Sequence, residues 1–288
     1  MTAPAFELLD VASRDHLGEG PWWDAARAEL LWVDILGRRV RRATLDGAEA
    51  AEIATPSEVG FAVRDTEGRV IAGLSDGLAV CDPEVAEWTH IWRGEHDAAL
   101  LRINDGKTDH DGRLWFGTMH RAETEAAGSL YSYGAGAVTT RVEAVTTSNG
   151  LGWSPDGTLF YYTDSPARTI WVFDVAADGG ISNRRVFATD PEDYVPDGLT
   201  VDASGCIWAA KWQGSRVVRY SPTGQIDRVL ELPVARPTSV AFAGAGLDTL
   251  VITSARMEEG DGELAGSVFL LDVGVTGLAE RPADVALL

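Results

Sequence analysis

One pattern recurs six times along this 288-residue chain and narrows what it can fold into. Its clearest copy is SNGLGWSPDG, residues 148–157. A polar residue beside glycine (Asn149, Gly150) opens a short apolar strand, and a tight turn (Pro155, Asp156, Gly157) closes it. The β-prone run TLFYYTD follows. Asn149 stands eight positions before the turn residue Gly157. The same offset selects Glu19 before Arg27, Gly60 before Gly68, Asn104 before Gly112, Asp197 before Gly205 and Thr238 before Gly246. These register residues are separated by 41, 44, 45, 48 and 41 positions. A period of about 40–50 residues marks a repeat architecture.

Each repeat divides into up to four short strands rich in Val, Ile, Tyr, Trp and Thr, punctuated by Gly, Pro and Asp. The fifth, for example, reads GLTVD, CIWAAKW, RVVRYSP and IDRVLEL. No stretch carries a convincing 3.6-residue helical period. The expected fold is all-β: a six-bladed β-propeller with four-stranded antiparallel blades around a central channel. It is read as one domain over residues 1–288, because no linker interrupts the repeat. The fourth strand of the last blade is either the C-terminal DVALL or the N-terminal FELLDVA. The second choice would close the ring by pairing the two chain ends.

Composition excludes several roles. There are 24 Lys and Arg against 44 Asp and Glu, a net charge of −20. Phosphate binding needs a basic face, so no nucleic-acid partner is expected. No apolar run reaches the roughly 18 residues of a membrane span. The start, MTAPAFELLD, lacks the charged and apolar regions of a signal peptide, so a cytoplasmic protein is expected, monomeric or weakly self-associating. The two cysteines, Cys81 and Cys206, are too few for a disulfide framework and read as buried thiols.

In a propeller the first strand of each blade lines the channel, so equivalent residues of different blades meet at one end of it. Glu19, Asn104, Asn149 and Asp197 would then form an oxygen-only cluster, the donor set that hard divalent cations prefer. A buried carboxylate with neither cation nor hydrogen-bond partner is expensive. Gly20, Gly106, Gly150 and Gly198 sit beside or near these residues, leaving room for the backbone to turn and a ligand to approach. The plainer alternative is that Asx-Gly pairs only shape the strand entrance. Trp115, Trp153, Trp171, Trp208 and Trp212 read mostly as inter-blade packing. Trp22 and Trp23 follow Glu19 closely, and their loop is a candidate cover for the site. No Gly-x-Ser-x-Gly elbow occurs, and Ser75, Ser148 and Ser165 have no evident histidine partner, which weighs against a serine esterase.

At these residues the chain resembles the SMP-30/gluconolactonase family, the regucalcin-like proteins. The matching blocks are LGEGPWWD, RINDGKTDHDGRLWFGTM, SNGLGWSPDGTLFYYTDS and VPDGLTVDASGCIWAA, and the likeness runs from about residue 15 to 275. The resemblance implies a six-bladed propeller with one divalent metal ion in the channel mouth and hydrolysis of sugar lactones to sugar acids. By motif position Glu19, Asn149 and Asp197 match the family's metal ligands. Arg102 and Asn104 match residues that contact the sugar. The family often has an acidic contact soon after GTM; here Glu123 stands one place later than that pattern, and His120 is the other local candidate. Calcium, magnesium, manganese, zinc and iron(II) all suit the oxygen ligands. The implied chemistry is polarisation of the lactone carbonyl by the cation, with Asp197 either taking a proton from water or only orienting it. Two further readings stay open: an arylesterase or phosphotriesterase-like hydrolase on a related propeller, and a non-enzymatic calcium-binding propeller.

Overall fold

A computed structural model describes residues 5–11 and 14–284. The chain opens with the short strand β1 (Glu7–Leu8) and then builds five sheets in which sequence order is spatial order. The first contains β2 (Gly18–Asp24), β3 (Glu29–Asp34), β4 (Arg39–Ala43) and β5 (Ala51–Ala54); the second contains β6 (Val59–Arg64), β7 (Val70–Leu74), β8 (Gly77–Asp82) and β9 (Glu87–Arg93). The third runs through β10 (Leu101–Thr108), β11 (Leu114–His120), β12 (Gly128–Gly134) and β13 (Ala137–Val145). The fourth has β14 (Ser148–Trp153), β15 (Leu159–Asp164), β16 (Thr169–Val175) and β17 (Ile181–Thr189). The fifth has β18 (Val195–Val201), β19 (Ile207–Trp212), β20 (Arg216–Tyr220) and β21 (Ile226–Glu231).

The sixth sheet joins the chain ends. It contains β22 (Pro237–Ala243), β23 (Thr249–Ser254) and β24 (Phe269–Asp272), and its outer strand is β1, with Glu7 opposite Leu270. The N-terminal alternative therefore closes the ring. Of the other candidate, DVALL, only Asp284 falls within the described residues; its N–H donates to the Gly112 carbonyl. Inner strands β2, β6, β10, β14, β18 and β22 each pack against the two adjacent inner strands, which completes a six-bladed propeller. No helix among the described residues is long and apolar enough to cross a membrane.

The turn glycines of the repeat explain themselves. Gly68, Gly112, Gly157 and Gly205 take φ of +87°, +79°, +71° and +78°, values that favour glycine. In the first and sixth blades Ala28 and Leu247 adopt φ +53° instead, so the signal there is weaker. Aspartates at the end of the inner strand then organise the turn. Asp109 and Asp202 each accept two turn N–H groups, and each also accepts the indole N–H of a buried tryptophan, Trp115 at 2.8 Å and Trp208 at 3.0 Å. Those rings fill the inter-blade core; Trp115 and Trp153 meet edge-on at 5.7 Å. Burying each such ring contributes about 1.5–3 kcal/mol. At the far end of the channel the segment after β24 crosses the opening, tied by Lys107 to Glu280 at 2.8 Å and by a bridge between Asp65 and Ala283.

Candidate active site

The eight-residue offset marks a break in every inner-strand ladder. Pairing between β10 and β11 skips Asn104, passing from Ile103–Thr118 to Asp105–Gly117. It skips Gly150 in β14, Gly60 in β6, and the pairs Gly20–Pro21, Asp197–Gly198 and Thr238–Ser239 in β2, β18 and β22. A β-bulge bends the strand and re-aims its side chains, and here all six do so at the same end of the ring. A Cβ on Gly150, whose φ is +35°, would lie 2.6 Å from the Asp197 carbonyl oxygen, and one on Gly198 would lie 2.1 Å from Ser239 Oγ. Gly150 and Gly198 make room for the neighbouring strand, Gly150 also takes the turned backbone expected of it, and neither lines the pocket described next.

Glu19, Arg102, Asn104, Glu123, Asn149 and Asp197 line one pocket of about 80 Å³ that opens to solvent. Leu17, Ile35, Met119, Val195 and Trp212 form its apolar walls. Of the remaining register residues, Gly60 has no side chain and Thr238 spends its hydroxyl on Gly18 and Thr253. His120 does not line the pocket; its Nδ1 lies 3.4 Å from Thr124 Oγ1. Trp22 and Trp23 are no cover for the site. Both are buried on β2 beyond Glu19 and line a groove of about 600 Å³ on the far side of the ring. That groove is larger, but two of the three arginines lining it are already paired, Arg27 with Asp24 and Arg64 with Asp24 and Glu29.

The polar floor of the pocket is buried and starved of partners. Asn149 donates from Nδ2 to Ser165 Oγ at 3.0 Å, while its Oδ1 has no hydrogen-bond partner; Asp197 Oδ1 and Thr147 Oγ1 have none either. Asn104 donates from Nδ2 to the Ser148 carbonyl at 2.8 Å. Arg102 uses one N–H on the Ile103 carbonyl at 3.1 Å. Burial, then the negative charge of Asp105, pushes Glu19 up to about 8. Burial raises Asp197 well above the usual carboxylate range, with Glu19, Asp105 and Glu123 adding to it. Burial also lowers Arg102 to about 10, partly offset by Glu58. Glu123 lies at the rim in a left-handed turn, φ +55°; burial raises its carboxyl and Arg102 opposes the shift.

Sequence reasoning missed Thr147 and Ser165, which line the pocket, and Asp105, which lies behind it and acts on Glu19 and Asp197 through its charge. Asp105 is buried and pushed up to about 6 by that burial. It adjoins Asn104 in RINDGK, but in an unbroken strand neighbours point to opposite faces, so only the bulge made it a candidate.

The donor set suits a hard divalent cation. Two buried carboxylates, Asp197 raised by the charge of Glu19 and Glu19 by that of Asp105, with unpartnered oxygens on Asn149 and Asp197, are what a cation would relieve. Among the described residues no three His, Cys, Asp or Glu side chains form a metal-binding group, so a cation held here would also need the Asn149 carboxamide oxygen.

The model of the SMP-30/Gluconolactonase/LRE-like region matches residues 17–256. The chain is 35% identical to a 6-deoxy-6-sulfogluconolactonase of Pseudomonas putida, over 92% of this chain and 94% of that one. It is 36% identical to an L-arabinolactonase of Azospirillum brasilense, over 93% and 92%. Its fold superposes on a calcium-binding protein, regucalcin, from Agrobacterium tumefaciens with a TM-score of 0.91 at 30% identity, over 97% of each chain. On its sequence and its ring of six blades, the chain belongs to the SMP-30/gluconolactonase/LRE-like family.

Proposed function

We propose that this chain hydrolyses a sugar lactone with the help of one divalent cation held by Glu19, Asn149 and Asp197. The observation that carries the reading is the pair of buried, unpartnered oxygens, Asn149 Oδ1 and Asp197 Oδ1, in the same pocket as the buried Arg102. When bound, the cation would act as a Lewis acid toward the lactone carbonyl. Arg102 keeps further N–H donors beyond the one on Ile103, arranged as a fork that suits adjacent sugar hydroxyls. Asn104 is anchored through one N–H and has its carbonyl oxygen and second N–H left for the substrate. Glu123 reaches the ring from the rim. Asp197 would take the proton of the attacking water or, as a ligand whose basicity the cation lowers, only orient that water.

The substrate class comes from the relatives, whose names specify lactones of differently substituted sugars. The test is a panel of aldonolactones, aryl esters and organophosphates on the cation-loaded protein. Preference for aldonolactones is expected. Turnover of aryl esters or organophosphates alone would assign a different hydrolase, and calcium binding with no turnover would make this a binding propeller.

A further inference from the structure

Lys211 is fully buried, beside a pocket to which it contributes no lining atom. Its Nζ lies 2.6 Å from Asp190 Oδ2 and 5.0 Å from the centre of the Tyr220 ring. The Tyr220 hydroxyl donates to the other oxygen, Asp190 Oδ1, at 3.0 Å. Asp190 is buried too, with 4% of its side chain exposed. A buried ion pair is weak support for stability, because desolvating both ions offsets their attraction. It does specify position, since each charge is costly anywhere but beside the other.

The position it specifies is a pocket wall. Asp190 begins the connection from β17 to β18, and Lys211 is the ladder partner of Pro196 at the other end of it. One residue therefore holds residues 190–196 at both ends, by its side chain and by its backbone. The next rung is Val195 opposite Trp212, and both line the pocket. Tyr194, between the anchors, packs against the turn after Lys211: a Cβ on Gly214 would meet its ring at 3.0 Å.

We propose that Lys211, with Asp190 and Tyr220, is a positioning residue that clamps the Val195–Trp212 wall and so sets which ring substituents the pocket accepts. The proposal rests on the lactonase reading, and its test separates the two. Lys211→Met alone strands a buried carboxylate, so the informative variant is the neutral pair D190N/K211M; Tyr220→Phe is the milder second variant. Amide hydrogen exchange over residues 190–197, measured without substrate, should speed up by roughly tenfold or more in the double variant, with other blades unchanged. KM for a substituted sugar lactone should rise by roughly tenfold, with a smaller change for an unsubstituted lactone. Tyr220→Phe should move both readouts in the same direction by less. Unchanged exchange would overturn the clamp. Faster exchange with KM unmoved on every lactone would overturn the substrate role. Failure of the wild type to turn over any lactone would count against the lactonase reading, while the exchange result would still decide the clamp.

Discussion

Adding a divalent cation to the cation-free protein should expel protons. Glu19 is pushed up from 4.5 to about 8 by burial and the charge of Asp105, so near neutral pH it is largely protonated without a cation. Asp197 is raised in the same direction by burial and by Glu19 itself. A ligating carboxylate must lose its proton, so each protonated ligand weakens cation binding about tenfold per pH unit below its pKa. Affinity should therefore rise steeply between pH 6 and 8 and level off above, with about one to two protons released at pH 7. Calorimetry in buffers of different ionisation enthalpy counts those protons. Glu19→Gln should lower the count by about one and weaken binding. The same shift has a sign for stability. Folded Glu19 holds its proton between pH 4.5 and 8, where the unfolded chain has lost it, so the cation-free protein should lose stability as pH rises through that window. Flat affinity from pH 6 to 9 with no proton release would show that these carboxylates do not hold the cation.

Two substitutions probe the division of roles and the bulge. Asp197→Asn should lower kcat by at least about 10²–10⁴-fold and weaken cation binding, whereas Asn104→Ala should keep the cation and lose more on a sugar lactone than on a bare one; calorimetry beside kcat/KM on both substrates checks this, and loss of the cation from Asn104→Ala would make Asn104 a ligand. Gly150→Ala should destabilise the protein by roughly 1–3 kcal/mol, because its backbone is left-handed and the new methyl would press on the Asp197 carbonyl 2.6 Å away; a melting temperature equal to that of the wild type would contradict the close packing of inner strands.

Much of this architecture was legible because its signals are local. Period-two strands and glycines forced into φ near +80° write themselves into sequence at a fixed offset, and Gly112, Gly157 and Gly205 did so. Where a turn used Ala28 or Leu247 the repeat faded, although the strands formed all the same. Ring closure by β1 was undecided, since a two-residue edge strand carries too little pattern to compete with the C-terminal alternative. Within the site, the register residues could be named because propeller symmetry brings them together. Asp105 and Thr147 could not, because their positions depend on bulges and on the adjoining blade. The clamp at Lys211 was hidden for a related reason. A lysine in the apolar strand CIWAAKW reads as exposed, and only packing against Asp190 and Tyr220 makes its burial tolerable.

The central claim is that this oxygen-lined channel mouth holds a cation that lactone hydrolysis requires. The direct measurement is lactonase rate and circular dichroism on chelator-treated protein, followed by re-addition of calcium, magnesium, manganese, zinc or iron(II) one at a time. The structure predicts that chelation abolishes turnover while the β signal persists, because six packed blades and the β1–β24 pairing hold the ring without the ion, and that at least one cation restores the rate. Full activity in the chelated protein, or loss of the β signal together with activity, would contradict it.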